Sequence, residues 1–326
     1  MNFEEYANEL YKNIPKILDE DIYIAILNKG NNLARFDIIN KIYITTVYGT
    51  DIYDVKTKEE WFSQGRKIID TSKYINVSVP DYSSEYIDTE THKVVNISDF
   101  TVDEFRKAIE YGIIKKESKL ENVIVQRVYD IKNTSNIDKD KKYSVPKPYI
   151  SMNILFGILK KFMNITIEQS DDFTYFAKKE KHLYLSKSSY EDTVDELISI
   201  LVDYFMETEV LSDIIEKSGL DQLDLNSKDM DLLKESIKYS LMTVFNVNNK
   251  DELLSILKRK EITDCNKLIN ILTISDYTVF NIIELLDYSD NSKVVDATSN
   301  ILLIKKSEQL LSIMQANSVQ SKMKGV

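Results

Sequence analysis

One cysteine, two histidines, four prolines and seven glycines occur in 326 residues, and each scarcity closes off a class of chemistry. Cys265 alone can form neither an internal disulfide nor a cysteine-based zinc cluster. So few glycines leave little material for a phosphate-cradling loop, and neither a Walker loop nor G-x-G-x-x-G is present. Scarce Gly and Pro also argue for long helices and regular strands rather than extended flexible linkers. No run approaches the roughly 18 consecutive apolar residues of a membrane span. The start, "MNFEEYANELYKNIPKILDE", is acidic and amphipathic, without the basic head and apolar core of a signal peptide. A cytoplasmic protein with no membrane partner is expected.

The histidines are His92 and His182, about ninety residues apart. A catalytic zinc site needs three protein ligands, often two of them histidines on one helical turn, so no zinc site is legible. Nor does any serine–histidine or cysteine–histidine pair localise a nucleophile beside its base. No cofactor motif is found, and neither a cofactor nor a metal is expected. What is plentiful is charge: 53 Asp/Glu against 42 Lys/Arg give a net charge of −11. That opposes indiscriminate attraction to nucleic acid. Residues 105–147, however, hold eleven Lys/Arg and six Asp/Glu, a local excess of five that leaves the rest of the chain at −16. A basic sector on an acidic protein can hold a polyanion on one surface.

Hydrophobic spacing organises the chain into an α+β protein. Phe3, Tyr6, Leu10, Ile14, Ile17 and Leu18 recur at helical spacing, and "LARFDIINKIYITTVYG" (33–49) predicts a second helix with Phe36, Ile39, Ile42 and Tyr43 inward. "KYINVSVPDY" (73–82) and "NVIVQRVYDIKNT" (122–134) alternate as strands, with a helix over 101–116 between them. These make an N-terminal α/β domain over 1–140. The polar, proline-bearing stretch 141–150 is a linker. Beyond it the reading is helix-rich: 151–164, 189–207, 209–218, 228–247, 250–258, 265–273, 277–286 and 297–314, interrupted by a small antiparallel sheet over 165–186. The expected boundaries are 151–260 for a second domain and 261–326 for a helical extension.

The stretch "SSYEDTVDELISILVDYF" (188–205) has the rhythm of a zinc-protease helix without its histidines. On its residues alone it is an amphipathic helix. Ser188 and Glu191 fit a capping box, acidic residues suit the positive helix start, and Val194, Leu197, Ile198, Leu201, Val202 and Phe205 form a buried stripe. In the N-terminal half, Trp61, Tyr74 and Tyr129 are candidates to stack on bases. Arg66, Lys67, Lys115, Lys116, Lys119, Arg127 and Lys132 are candidates to contact phosphates. The bland alternative is that the aromatics fill a small core and the lysines keep it soluble.

These pieces occur in the order found in ArdC-like and LtrC-like proteins of conjugative plasmids and phages. "LARFDIINKIYI" resembles that family's aromatic-then-Asn helix through Phe36 and Asn40, and "WFSQGRKI" resembles its W-x-x-x-G-R signature through Trp61, Gly65 and Arg66. "INVSVP" is similar to a strand ending in proline, and "VYDIKNT" (128–134) to a strand closing with an aromatic, Asp and Thr. "KHLYLSKSSYEDTVDELISIL" resembles the peptidase strand leading into its HELAH helix, and "LLKESIKYSLMTVFNV" (232–247) a later helix with an Ala-Glu-Ser step. The resemblance covers about residues 33–250.

The resemblance implies an N-terminal DNA-binding domain followed by a zinc-metallopeptidase-like (zincin-type) domain. Aligned this way, Asp195 and Ser199 stand in place of two histidine ligands, Glu196 keeps the general-base position and Glu235 a third-ligand position. Serine is a poor zinc ligand, and the carboxylates left would suit Mg²⁺ or Ca²⁺ better. The expectation is a pseudopeptidase: a DNA-binding accessory protein of a mobile element, favouring single strands over duplex. Two alternatives stand beside it. One is an antirestriction or regulatory protein acting on restriction or conjugation proteins; the other is a hydrolase with an unconventional metal site.

Overall fold

The computed structural model describes residues 1–29, 36–52, 54–137, 152–161, 163–171, 174–186, 189–207, 225–247, 250–259 and 264–288, with Leu33, Leu211, Ser212 and Ile215 besides. The expected helix at 297–314, most of those at 209–218 and the linker at 141–150 lie outside them. Contacts gather the chain into a smaller unit, Met1–Glu9 with Asn76–Arg127, and a larger one, Leu10–Ile75 with Val128–Val326.

The smaller unit is built on a long ribbon of β3 (Ile75–Asp88) and β4 (Ile114–Asp130), of which it holds all but the ends. Both strands outrun the stretches where alternation is visible. Between them lies α5 (Val102–Glu110), opened by a capping box of Thr101 and Glu104. Gly112, at φ 69°, turns the chain from this helix into β4. Three of its aromatics meet edge to face: Phe105 lies 4.8 Å from Tyr86 and 6.1 Å from Phe100, centroid to centroid.

α1 (Phe3–Asn13) belongs to the smaller unit up to Glu9 and to the larger one from Leu10, where it gives way at Pro15 to a 3₁₀ turn, Ile14–Leu18. That tighter winding keeps Ile17 buried but leaves Leu18 exposed, against the expectation from helical spacing. Asp19 then caps α2 (Glu20–Asn28), accepting from the amides of Asp21 and Ile22. The helix expected over 33–49 is α3 (Ile38–Tyr43), capped by Asp37, continued as a π turn over Ile44–Tyr48 and stopped at Gly49, φ 112°. Thr45 and Thr46 turn their hydroxyls back onto the carbonyls of Lys41 and Ile42, which accompanies the wider winding.

Short β1 (Val55–Lys56) pairs antiparallel with the end of β4; α4 (Lys58–Ser63) follows, and β2 (Arg66–Ile68) pairs antiparallel with β5 (Thr134–Asn136). After α6 (Met152–Lys161), a sheet of β6 (Thr166–Ser170), β7 (Tyr175–Ala177) and β8 (His182–Ser186) takes the order β6-β8-β7. β7 and β8 are antiparallel, whereas β6 and β8 run parallel, a pairing that alternation cannot reveal. Among the described residues the helices α7 (Tyr190–Glu207), α8 (Ser227–Val244), α9 (Asp251–Arg259) and α10 (Cys265–Tyr288) follow. α10 is continuous where sequence spacing predicts two helices, because no Gly or Pro interrupts it and Ser275 and Thr278 are buried within it.

Residues 10–75 share this unit with the C-terminal helices. Tyr23 and Ser236 share a buried 2.8 Å hydrogen bond, Tyr239 donates to Asn28 at 2.8 Å, and Lys41 pairs with Asp276 at 2.5 Å. Lys41 is buried, so Asp276→Ala leaves an ammonium enclosed without its partner. The expected loss of stability is about 3 kcal/mol. Urea denaturation measures it, and an unchanged midpoint would count against this pairing.

Candidate functional site

Trp61 and Arg66, with Gly65 between, form a packed corner rather than an open surface. The capping box of Thr57 and Glu60 fixes the start of α4 and seats Trp61 inward, fully buried. Its indole Nε1 donates to the Tyr129 carbonyl at 2.7 Å. Gly65, at φ 74°, allows the turn into β2, which a side chain would strain. The Arg66 guanidinium lies near the Trp61 ring, 5.9 Å from its centroid. It donates to Thr134 Oγ1 at 2.6 Å, to Asn136 Oδ1 at 2.5 Å and to the Thr134 carbonyl at 3.3 Å. Asn133 closes the corner, donating from Nδ2 to the carbonyls of Asp70 and Lys73.

Base stacking by Trp61 and Tyr129 is therefore corrected: both rings are buried, and a base needs an uncovered face. Tyr74 is half-buried. Lys132 is exposed, but its ammonium bonds the Asp51 carboxylate at 2.6 Å and the Asp51 carbonyl at 2.7 Å. Lys67 is exposed on β2. Lys115, Lys116 and Arg127 are exposed on β4, Lys115 beside Glu117 at 2.6 Å; Lys119 lies on the same strand, its side chain outside the described residues. The candidates thus divide between the two units, with Lys115, Lys116, Lys119 and Arg127 in the smaller.

Beneath the corner sits a charged group. Lys29 donates to the Gly49 carbonyl at 3.0 Å, and burial draws its pKa down to about 8 although Asp51 and Asp130 pull the other way. Burial pushes the Asp130 carboxyl up, against the Lys132 amide that bonds it and the Lys132 charge.

Helix α7 starts one residue later than the sequence box implies. Ser189, not Ser188, caps it, accepting from the Asp192 amide at 3.1 Å and donating to the Asp192 carboxylate at 2.7 Å; Ser188 lies outside the described residues. The stripe from Val194 to Phe205 is buried as its spacing predicts. Asp195 faces a cleft lined also by Glu235, Lys238 and Tyr239 of α8 and by Glu252 and Leu253 of α9. Lys238 Nζ lies 3.2 Å from Asp195 Oδ2 and 3.4 Å from Glu252 Oε2. Burial pulls the Lys238 pKa down, but Asp195 and Glu235 outweigh it, so the net direction is upward and the group stays charged. Glu235 is 9% exposed, and burial pushes its carboxyl up despite Lys238.

These residues do not fit a zinc ion. Ser199 Oγ is spent on the Asp195 carbonyl at 2.8 Å, and Asp195 Oδ2 on an ammonium. Glu196 is half-buried and does not line the cleft. Among the described residues no cluster of three or more His, Cys, Asp or Glu is placed to hold a metal. His182 instead bonds Glu168 at 3.1 Å and stacks on Tyr184, and His92 sits exposed in a turn at φ 54°. Motif matching does not single out Lys238 or Glu252. The i, i+3 spacing of Glu235 and Lys238 on one helix face is the signal that does.

The elements define an α+β protein with small sheets set among helices. Two crystal structures of the antirestriction ArdC protein from plasmid R388 are similar to it. The metal-free one gives a TM-score of 0.41 at 10% identity over 83% of this chain and 97% of that chain. The Mn(II)-bound one gives 0.37 at 11% identity over 79% and 85%. No protein-family model and no curated protein matches the chain. Among the described residues no helix is long and apolar enough to cross a membrane.

The corner makes its own prediction. Arg66→Ala removes charge-assisted hydrogen bonds and is expected to lower stability by about 1.5–3 kcal/mol. Trp61→Phe, which leaves the Tyr129 carbonyl without its indole donor, is expected to lose about 1–3 kcal/mol. Thermal melts read both; two variants as stable as the parent would return Trp61 and Arg66 to a surface role.

Proposed function

We propose that the protein binds DNA, single strands in preference to duplex, as an accessory protein of a conjugative plasmid or phage. Its peptidase-like helices serve as scaffold without peptide hydrolysis. The observation that carries this reading is the β3–β4 ribbon, on which Lys115, Lys116 and Arg127 are exposed. Tyr111, 74% exposed at the foot of β4, adds a ring that a base can reach. Exposed cations and an exposed aromatic on one unit suit a single strand, where any phosphate can pair and any base can stack. The motif resemblance supports the same class while its signature residues, Trp61 and Arg66, hold the fold. The Lys115–Glu117 pair is exposed on both sides and exchanges readily for a phosphate.

A second reading has its own observation. Val94, Ile97 and Val102 are exposed in the smaller unit, Val102 by 85%, which suits contact with a protein. In this reading the chain is an antirestriction or regulatory factor that occupies a restriction or conjugation protein. Protection of DNA from a restriction nuclease without measurable DNA binding selects it.

Labelled single-stranded oligonucleotide is expected to shift at low salt and to be released as salt rises. Lys115→Ala with Lys116→Ala weakens binding and lowers the slope of log K against log salt by about 0.7 for each phosphate that is no longer neutralised. Arg127→Ala acts in the same direction. No shift at low salt with the folded protein, or equal binding by all variants, would overturn the DNA reading.

A further inference from the structure

The two inward side chains of the Trp61–Arg66 corner each have an outward neighbour of the same chemical kind. Trp61 is buried, and Phe62, the next residue of α4, is 69% exposed. Arg66 grips Thr134 and Asn136, and Lys67, the next residue of β2, is exposed. Strand alternation puts Lys67 and Ile69 on the face opposite Arg66. The register sets Lys67 against Ser135, which brings Ser135 and Ile137 onto the same face. Backbone bonds extend the pairing at both ends: Ile69 donates to the Asn133 carbonyl at 3.0 Å and Ile137 to the Gly65 carbonyl at 2.8 Å. The Gly65 amide in turn donates to the Phe62 carbonyl at 3.0 Å, so Phe62 stands at one end of this face. Ile69 is 65% exposed and Ile137 50%, and all of these residues lie in the larger unit.

We propose that this outward face is a second contact for a single strand of DNA, in which Lys67 takes a phosphate and Phe62 stacks on a base. The inference rests on the DNA-binding reading and deepens it, by adding a surface of the larger unit to the ribbon of the smaller. Charge favours such an occupant. Neither β2 nor β5 carries a carboxylate, and Asp70, just beyond β2, is turned onto the amide and hydroxyl of Ser72. Lys58, exposed on α4 one turn before Phe62, adds a cation, with exposed Glu59 beside it. Size favours it as well. Two strands of about five residues make a face about 15 Å long and 10 Å wide. That is roughly 150 Å², against the roughly 800 Å² that each partner buries in a standard protein interface. A single strand asks less of each contact point, since one ring and one cation serve one nucleotide. Ile69 and Ile137 offer apolar surface to sugars and base edges alongside.

Photocrosslinking of the full chain to an iodouracil-substituted oligothymidine, with the adducts mapped by mass spectrometry, is the direct test. An adduct on Phe62 is expected. Adducts confined to the ribbon, at Tyr111, would overturn the proposal and leave DNA binding standing. This reading is made on the parent protein and does not depend on how a variant folds. In gel shifts, Phe62→Ala is expected to weaken binding by about 5- to 150-fold, with the salt slope unchanged, and Phe62→Tyr to retain it. Lys67→Ala is expected to lower the slope of log K against log salt by about 0.7. Both side chains are exposed, so each variant should melt with the parent; a Phe62→Ala chain that fails to fold assigns the ring to the core and overturns the proposal. Parental binding by both Phe62→Ala and Lys67→Ala overturns it too. So does self-association in sedimentation that Phe62→Ala abolishes, without an adduct on Phe62, which makes the face a contact between copies. A folded parent that binds no oligonucleotide at low salt ends the DNA reading itself, and this proposal with it.

Discussion

Helix α8 is enclosed along most of its circumference, and this enclosure forces its polar side chains into pairs. Asp229, Glu235, Ser236, Lys238, Tyr239 and Ser240 are all buried on it. A buried polar group left unpaired costs about 1–3 kcal/mol, more if charged, so each pairing is a constraint on whichever segment supplies the partner. Ser236 holds Tyr23, and Tyr239 holds Asn28, both on α2. Lys238 holds Asp195 and Glu252, from α7 and α9, while Asp229 accepts from Lys267 of α10 at 3.0 Å and closes its own capping box with Asn226. One helix thereby ties the first third of the chain to the last. The pairing is specific where apolar packing alone would tolerate slippage, because a hydroxyl or ammonium finds its acceptor in one register only.

The same logic governs the corner of Trp61 and Arg66. An indole and a guanidinium are what a nucleic-acid surface uses, and they are also what a small sheet needs to pin a short strand. Burial decides between the two. The larger unit joins β2 to β5 through strands of only three residues each, too short to hold register by ladder bonds alone. Arg66 supplies the missing constraint by gripping Thr134 and Asn136 from across the pair, and Trp61 secures the adjoining end of β4 through Tyr129. A motif spanning some seventy residues of sequence is thus a single hydrogen-bonded joint.

Legibility in the sequence follows from where the information lies. The buried stripe of α7 is written in its own spacing, and so are the helices around Leu232 and Leu253 and the alternation of Ile75 and Val77. Properties that depend on a distant partner are not written locally. Alternation in 166–186 announces strands, but not that β8 inserts between β6 and β7 with opposite senses of pairing. The continuity of α10 through Ser275 and Thr278 depends on what encloses it, and polar residues there read as a break. At the cleft, Asp195 and Glu235 are singled out by motif, whereas Lys238 emerges only when three helices converge. Trp61 and Tyr129 show the reverse: residue type suggests exposure, and packing removes it.

Lys238 is what joins the three helices around the cleft. A metal ion occupies its site in proportion to free ion concentration, so a scaffold held by metal gains or loses stability with supply. Lys238 is delivered by the backbone of α8 and is present whenever that helix is formed. Asp195 and Glu252 converge on its positive charge from α7 and α9, which holds both helices to α8. The joint between the helices therefore lasts as long as the helix that carries the charge.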